Sequence, residues 1–172
     1  MEILSNNKFM DPLSELLFFK FLSDEEKKTL LSQSEIIKYS AKEKIVAEGD
    51  VQPYIFAVIE GTVNVIVNKK DRNDIFICSI GKGDVFGEAG IFLKVKRTAD
   101  VVSTDSTIIL RIHRKKMLQF INTHKDSGIK ILMLIIYSLL RKLREANQEL
   151  AFERKSDVTQ DDIDSIIQDF VY

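Results

Sequence analysis

Apolar and polar residues change places in short runs through the middle of the chain. Between Ile36 and His113, runs rich in β-branched residues and phenylalanine are separated by turn residues such as Glu48-Gly49-Asp50 and Glu60-Gly61. Seven runs have the composition of strands, and they are IIKYS, KIVAE, YIFAVI, TVNVIVN, IFICSI, ADVVS and TIILRIH. Short strands at this spacing are typical of an antiparallel barrel, roll or sandwich.

Helical patterns flank this region on both sides. Ser23 and Glu26 form a capping box that predicts the start of a helix, and the run LSELLFFKFL before it predicts a second, short one. Residues 114–123 indicate a short helix after the last strand. A long helix is expected after Gly128, because neither glycine nor proline follows until beyond Lys155.

The long helix carries a narrow apolar seam. Its members recur at alternating steps of four and three, the a/d spacing of a coiled coil, and they are Leu132, Ile136, Leu139, Leu143, Ala146 and Leu150. The seam can cover the domain's own core or pair with a second copy. Because the second half of the helix is charged on its other faces, the pattern favours a homodimer.

The last residues form a third segment of different character. Residues 156–172 contain five aspartates and no lysine or arginine, and Thr159 with Asp162 makes another capping box. One apolar face follows, made of Ile163, Ile166, Ile167, Phe170 and Val171. The predicted organisation is a domain over 1–126, a dimerisation helix over 127–155 and an acidic amphipathic helix over 156–172.

Composition and charge narrow the class of protein. With 172 residues, 45% of them hydrophobic, the chain can fill one core, and its net charge of −1 draws it to neither nucleic acid nor an anionic membrane. Its single cysteine, Cys78, allows no intramolecular disulfide. No secretory signal is evident, and the apolar stretch 129–140 is too short to span a bilayer. A cytoplasmic protein without a membrane partner is expected.

The segment GDVFGEAGIFLKVKRTADV, residues 83–101, has the residue types of a ligand site. Glycines let the backbone approach a ligand closely, and the planar fork of Arg97 suits an anion such as phosphate. Glu88 would repel a phosphate, so it fits only if it accepts hydrogen bonds from a sugar hydroxyl. A phosphate and a ribose on one small ligand describe a nucleotide. The alternative is a surface ion pair between Glu88 and Arg97 that does nothing.

These residues resemble the phosphate-binding cassette of the cyclic nucleotide-binding domain family. The matching pieces are Phe86-Gly87-Glu88-Ala89-Gly90-Ile91 and Lys96-Arg97-Thr98-Ala99-Asp100-Val101, with Ala89 and Lys96 standing where the family more often has a larger apolar residue and a proline. The likeness extends over roughly residues 15–152. It implies an α+β, mainly β fold, an antiparallel β-roll of jelly-roll type with N-terminal helices and a long C-terminal helix. The implied ligand is cAMP or cGMP, with no further cofactor.

The resemblance also assigns roles within the cassette. Glu88 would accept from the ribose 2′-hydroxyl, beside a backbone contact from Gly87. The amides of Gly90 and Ala99 would hold the cyclic phosphate together with the Arg97 guanidinium.

Further residues would contact the base. Thr98 falls where a hydroxyl can reach the phosphate or a guanine amino group, or can be an ordinary turn residue. Ile77 and Cys78 fall where the family builds part of the base wall, although Cys78 also fits plain core filling. Arg144 and Asn147 are candidates for a cap over the base.

A regulatory module that transmits nucleotide binding to its C-terminal helices is therefore expected, and the alternative is a fold-retaining interaction module whose pocket is empty or differently occupied.

An enzyme is not expected, because the sequence has no catalytic motif and its two histidines, His113 and His124, have no further metal ligand at suitable spacing. DNA binding is not expected either, since the 17 residues after Lys155 are acidic or neutral.

Overall fold

A computed structural model describes residues 1–5, 9–14, 16–68, 74–93 and 95–156 of the chain. The strands within them are β1 Glu2–Leu4, β2 Ser34–Tyr39, β3 Lys44–Val46, β4 Tyr54–Glu60, β5 Val63–Val67, β6 Ile75–Ile80, β7 Val85–Phe86, β8 Asp100–Ser103 and β9 Thr107–His113. The helices are α1 Met10–Ser14, α2 Leu17–Lys20, α3 Asp24–Ser32, α4 Ala89–Phe92, α5 Arg114–Thr123 and α6 Lys125–Ser156.

The strands form two antiparallel sheets. One has five strands in the order β1-β2-β9-β4-β7, and the other has four in the order β3-β8-β5-β6. One apolar cluster draws on both sheets, including Ile37, Phe56 and Ile109 from the first and Val63 and Ile80 from the second. Two antiparallel sheets closed over one apolar core confirm the expected mainly β roll.

A second apolar cluster joins the other face of the five-stranded sheet to the helices. Leu110 of β9 belongs to it, as do Leu30 of α3, Phe120 of α5 and Ile131 of α6, all of them buried. Ser127 of α6 donates a hydrogen bond of 2.6 Å to the Glu26 carboxylate, which adds a polar tie between α3 and α6.

The chain divides into two compact units, Met1–Ile135 and Ile136–Tyr172. The first unit contains the roll, helices α1 to α5 and the first turns of α6. In the second unit α6 continues to Ser156, and Ile136, Leu139, Leu143 and Leu150 are between 39% and 57% exposed. Within the described residues, no helix combines the length and the apolar character that crossing a bilayer requires.

Most of the predicted elements are present at their expected positions. All seven predicted strands form, and the capping box is complete, with hydrogen bonds of 2.8 Å from Ser23 N to the Glu26 carboxylate and 3.3 Å from Glu26 N to Ser23 Oγ. Residues 114–123 form α5.

The structure differs from the prediction in its strands, in its N-terminal helices and at the start of α6. Strands β1 and β7 were not expected, and the run LSELLFFKFL, predicted as one short helix, contains all of α2 but only the last two residues of α1. Helix α6 begins at Lys125, so Gly128 lies inside it. A Cβ at Gly128 would stand 2.8 Å from the backbone of Ile121, so this glycine lets α5 and α6 approach closely. The acidic helix predicted over 156–172 lies outside the described residues except for Ser156, the last residue of α6.

Candidate functional site

The segment between β7 and β8 is built around a short helix. Gly87, at φ +75°, turns the chain out of β7, and α4 follows directly after Glu88. The Gly90 amide donates to the Gly87 carbonyl at 3.0 Å and the Ile91 amide to the Glu88 carbonyl at 3.0 Å. Because Ile91 is buried in the second apolar cluster, between the five-stranded sheet and the helices, this one-turn helix is anchored to the rest of the domain.

Arg97 folds back onto this helix and onto the start of β4. Its guanidinium donates to the Gly87 carbonyl at 3.1 Å, the Gln52 carbonyl at 2.8 Å and the Tyr54 carbonyl at 2.6 Å. It lies 5.8 Å from the ring centroid of Phe56, within the range of a cation–π contact. One cationic side chain thus joins the cassette to the strand beneath it.

The Arg97 guanidinium is partly buried, and one of its N–H donors has no acceptor among the described residues. Burial lowers the pKa of Arg97, and the negative charge of Glu88 acts in the opposite direction. Arginine nevertheless stays charged at neutral pH. Its Nε is buried and has no hydrogen-bond partner among the described residues. A buried cationic N–H without an acceptor is costly, and an anionic ligand would satisfy it.

Glu88 brings a carboxylate to the same place. Its side chain is buried, with 6% of the residue exposed, and its negative charge opposes the lowering of the Arg97 pKa by burial. The backbone around them is equally tight, since a Cβ at Gly87 or Gly90 would lie 2.9 or 3.1 Å from the Arg97 guanidinium. Glycine at both positions therefore makes room for the arginine.

The turn that contains Glu48-Gly49-Asp50 holds the backbone of Arg97. The Gly49 amide donates to the Arg97 carbonyl and the Arg97 amide to the Asp50 carbonyl, each at 2.8 Å. This pair of hydrogen bonds positions the main chain at the residue whose side chain reaches the cassette.

Asp100 stabilises the turn at Glu48-Gly49-Asp50 by accepting a hydrogen bond from it. It is 4% exposed and accepts hydrogen bonds from the Glu48 amide at 2.7 Å, the Asn68 side chain at 2.9 Å and Lys44 Nζ at 2.5 Å. Burial alone would raise the pKa of Asp100, but the hydrogen bonds from Lys44, Asn68 and Glu48 outweigh it and hold the pKa below its ordinary value. The ionised carboxylate therefore stabilises the fold.

Replacing Asp100 by asparagine is expected to lower the free energy of unfolding at neutral pH by about 1–3 kcal/mol. Because the folded-state pKa is depressed, the stabilisation is present at neutral pH and is lost as the pH falls below about 4. Denaturant unfolding at neutral and acidic pH checks this. The acid-induced loss should shrink in D100N, whereas Asp24→Asn, at an exposed carboxylate, should leave it unchanged. An identical acid-induced loss in wild type and D100N would contradict the assignment.

The remaining cassette residues are less enclosed. Ala89 and Thr98 are exposed, and Ala99 is half-buried. The Gly90 amide, expected to hold a phosphate, here donates to the Gly87 carbonyl.

The two base-wall candidates differ in their surroundings. Cys78 is half-buried and packs against the cluster inside the roll. The pairing of β5 with β6 runs from Val65–Cys78 directly to Ile66–Phe76, so Ile77 is skipped and forms a β-bulge. Ile77 is 45% exposed.

Arg144 and Asn147 lie on α6 in the second unit, and both are exposed. Their suggested role over the base stays a prediction.

Several residues that hold the site were not found from the sequence. Gln52 and Tyr54 act through backbone carbonyls, for which no side-chain signal exists. Asp100 did carry a signal, because an aspartate inside the apolar run ADVVS has to find partners when it is buried. Arg114 donates from Nε to the Ile91 carbonyl at 2.5 Å, and nothing in its sequence context indicates that contact.

These features define a class of protein: a β-roll domain whose cassette contains a buried carboxylate and a partly buried guanidinium. The chain belongs to the cyclic nucleotide-binding domain family, whose model matches residues 36–124, just over half of its length. Among the described residues, no group of histidine, cysteine, aspartate and glutamate side chains is arranged to hold a metal ion.

Two proteins similar in sequence and one similar in fold are informative. The chain is 30% identical over 130 residues to the cAMP-activated global transcriptional regulator CRP of Pasteurella multocida, covering 75% of this chain but only 60% of that regulator. It is 27% identical over 135 residues to the cGMP-dependent protein kinase of Plasmodium berghei, covering 73% of this chain and 15% of the kinase. A solved cyclic nucleotide-binding domain from Methylobacillus flagellatus superimposes with a TM-score of 0.73 at 22% identity, covering 86% and 83% of the two chains.

Proposed function

We propose that this domain binds a cyclic nucleotide, cAMP or cGMP, at the cassette of residues 86–99. The observation that carries the proposal is the buried Arg97 Nε, a cationic donor without an acceptor among the described residues. It lies in a cassette that also contains a buried carboxylate, Glu88. A ligand with a phosphate beside a ribose matches this pair of charges.

In this proposal the two side chains have distinct tasks. Arg97 donates to the exocyclic oxygens of the cyclic phosphate, and Glu88 accepts from the ribose 2′-hydroxyl. Gly87 and Gly90 keep the backbone close to both, because any side chain there would displace the guanidinium. Thr98 is exposed and so is available to the phosphate or to the base.

The proposed output is a change in helix arrangement and not a chemical reaction. In this proposal the Arg97 guanidinium, held by backbone carbonyls, and the buried Glu88 carboxylate only form hydrogen bonds to the ligand. Ligand binding shifts a conformational equilibrium only if the two arrangements bind it with different affinity. We propose that α5 and α6, which follow the roll directly, differ between those arrangements.

Dimerisation through α6 is part of the proposal. Ile136, Leu139, Leu143 and Leu150 of the seam are exposed, as a surface that pairs with a second copy would be in a single chain. Sedimentation equilibrium checks this, and a monomer at high protein concentration would exclude the coiled-coil dimer.

Isothermal titration calorimetry with cAMP and with cGMP tests the ligand and its base. Binding of either is expected, and the ratio of the two dissociation constants identifies the preferred base. The two sequence relatives described above are cAMP-activated and cGMP-dependent by name, so both ligands belong in the experiment. No binding of either at millimolar concentration would contradict the proposal. Mass spectrometry of the purified protein would reveal a nucleotide that was carried through purification.

A second candidate function is a protein-interaction module that keeps the fold without using a nucleotide. It is favoured by the three backbone carbonyls, of Gly87, Gln52 and Tyr54, that already take up hydrogen bonds from Arg97. Affinity capture of partners with and without nucleotide separates the two functions. Partner binding that ignores nucleotide favours the second.

A further inference from the structure

Arg114 connects three parts of the first unit through two hydrogen bonds. It is the first residue of α5 and is half-buried. Its backbone amide donates to the Pro53 carbonyl at 2.7 Å, just before β4 begins. Its side-chain Nε donates to the Ile91 carbonyl of α4 at 2.5 Å. The start of α5 is therefore tied both to the cassette helix and to the segment that leads into β4.

Arg97 contacts the same two segments. It donates to the carbonyls of Gln52 and Tyr54, the residues on either side of Pro53, and to the Gly87 carbonyl just before α4. Carbonyls alternate in direction along an extended chain, so the two arginines approach this segment through different carbonyls. If Arg97 displaced the segment that leads into β4 or the segment that leads into α4, Arg114 at the start of α5 would therefore be displaced as well.

The hydrogen bond from Arg114 Nε to the Ile91 carbonyl is strong and has a fixed geometry. A charged donor forms a stronger hydrogen bond than a neutral one, and the guanidinium is planar, so its N–H groups point in fixed directions. The start of α5 is also fixed on its other side, where His113 Nδ1 accepts from the Lys115 amide at 3.1 Å. A helix held at its first residue responds to that residue as a unit.

We infer that Arg114 is a positioning residue that couples nucleotide binding at Arg97 to the position of α5. The inference rests on the proposed function. A bound phosphate competes with the carbonyls of Gln52, Tyr54 and Gly87 for the N–H groups of Arg97. The two segments released or shifted in this way are the ones that Arg114 holds, so α5 follows them through the Pro53 and Ile91 carbonyls.

The test compares amide hydrogen exchange with and without saturating cAMP and cGMP in the full chain. In the wild type, the nucleotide that binds should change exchange both in residues 86–99 and in residues 114–123. Arg114→Met should keep the change in the cassette and lose the change in α5. Lys116→Met removes the same charge from an exposed position in the first turns of α5 and should behave as the wild type does.

The outcomes separate the inference from the function on which it rests. Absence of nucleotide binding in the wild type overturns both. Binding with an unchanged α5 response in Arg114→Met overturns the coupling alone. If Arg114→Met does not fold, the Arg114 Nε–H signal of the ¹⁵N-labelled wild type decides. A signal protected from solvent that shifts on nucleotide addition supports the coupling, and one that exchanges as an exposed arginine does and ignores nucleotide overturns it.

Discussion

Replacing Arg97 by alanine is expected to weaken cyclic-nucleotide binding by roughly 2–5 kcal/mol, which is about 30-fold to several thousand-fold in the dissociation constant. The variant leaves a buried phosphate without its cationic partner. It also deprives the carbonyls of Gly87, Gln52 and Tyr54 of a donor, so some loss of stability accompanies the loss of binding. Titration calorimetry measures the first effect and thermal unfolding the second.

Two further variants show whether geometry or charge is responsible. Arg97→Lys keeps the charge but has no planar fork to reach three carbonyls and a ligand, so it should recover only part of the affinity. Lys96→Ala removes a neighbouring, exposed cation and should leave the affinity almost unchanged. Equal affinity in wild type and Arg97→Ala, both folded, would show that the ligand does not bind at the cassette.

Replacing Gly87 by alanine should damage both the fold and the site. At φ +75° a side chain costs roughly 1–2 kcal/mol of backbone strain. The added Cβ would also lie 2.9 Å from the Arg97 guanidinium and 3.1 Å from both the Phe56 ring and the Tyr54 carbonyl, and such crowding typically costs about 1–3 kcal/mol more. Because the nearest atom belongs to Arg97, nucleotide binding should weaken as well.

Gly83 offers a matched control for Gly87. It has a similar backbone angle, φ +91°, but among the described residues no heavy atom beyond Gly83 itself and its two chain neighbours lies within 4 Å of the Cβ position. Gly83→Ala should therefore show the strain without the crowding, and its nucleotide affinity should equal that of the wild type. Denaturant unfolding and calorimetry on both variants measure the difference. If the two variants lose equal stability and keep equal affinity, the close approach of residue 87 to Arg97 contributes neither to stability nor to binding.

The strands of the roll were predictable because their pattern is local. Runs such as YIFAVI and TIILRIH combine β-branched residues with flanking turn residues, and both form strands. Strand β7 has only two residues, and β1 has three, so neither is long enough to show the alternation of apolar and polar residues that predicts a strand. The start of α6 was misplaced because glycine usually ends a helix, whereas Gly128 serves a tertiary contact with Ile121 that the sequence does not display.

The cassette was predictable from its residue types, but its supports were not. Glu88 and Arg97 occur in a recognisable order, and in the structure Arg97 donates to the carbonyl of Gly87, next to the buried Glu88. What holds Arg97 is a set of backbone carbonyls, which every residue possesses, and no side chain reports which of them will be used. The bulge at Ile77 escaped prediction for the same reason, since it depends on the register between two strands.

The way Arg97 is held has an entropic and an electrostatic consequence. An arginine side chain loses about 2 kcal/mol of rotamer entropy when it is immobilised, and here the carbonyls immobilise it before any ligand arrives. Carbonyl oxygens orient the guanidinium through their dipoles but carry no net charge, so they leave its full positive charge in place. In the proposed function, an incoming anion therefore first meets a cation that is already oriented and partly desolvated, whose attraction is screened less by salt than that of an exposed arginine, and it competes with the carbonyls only once it has arrived.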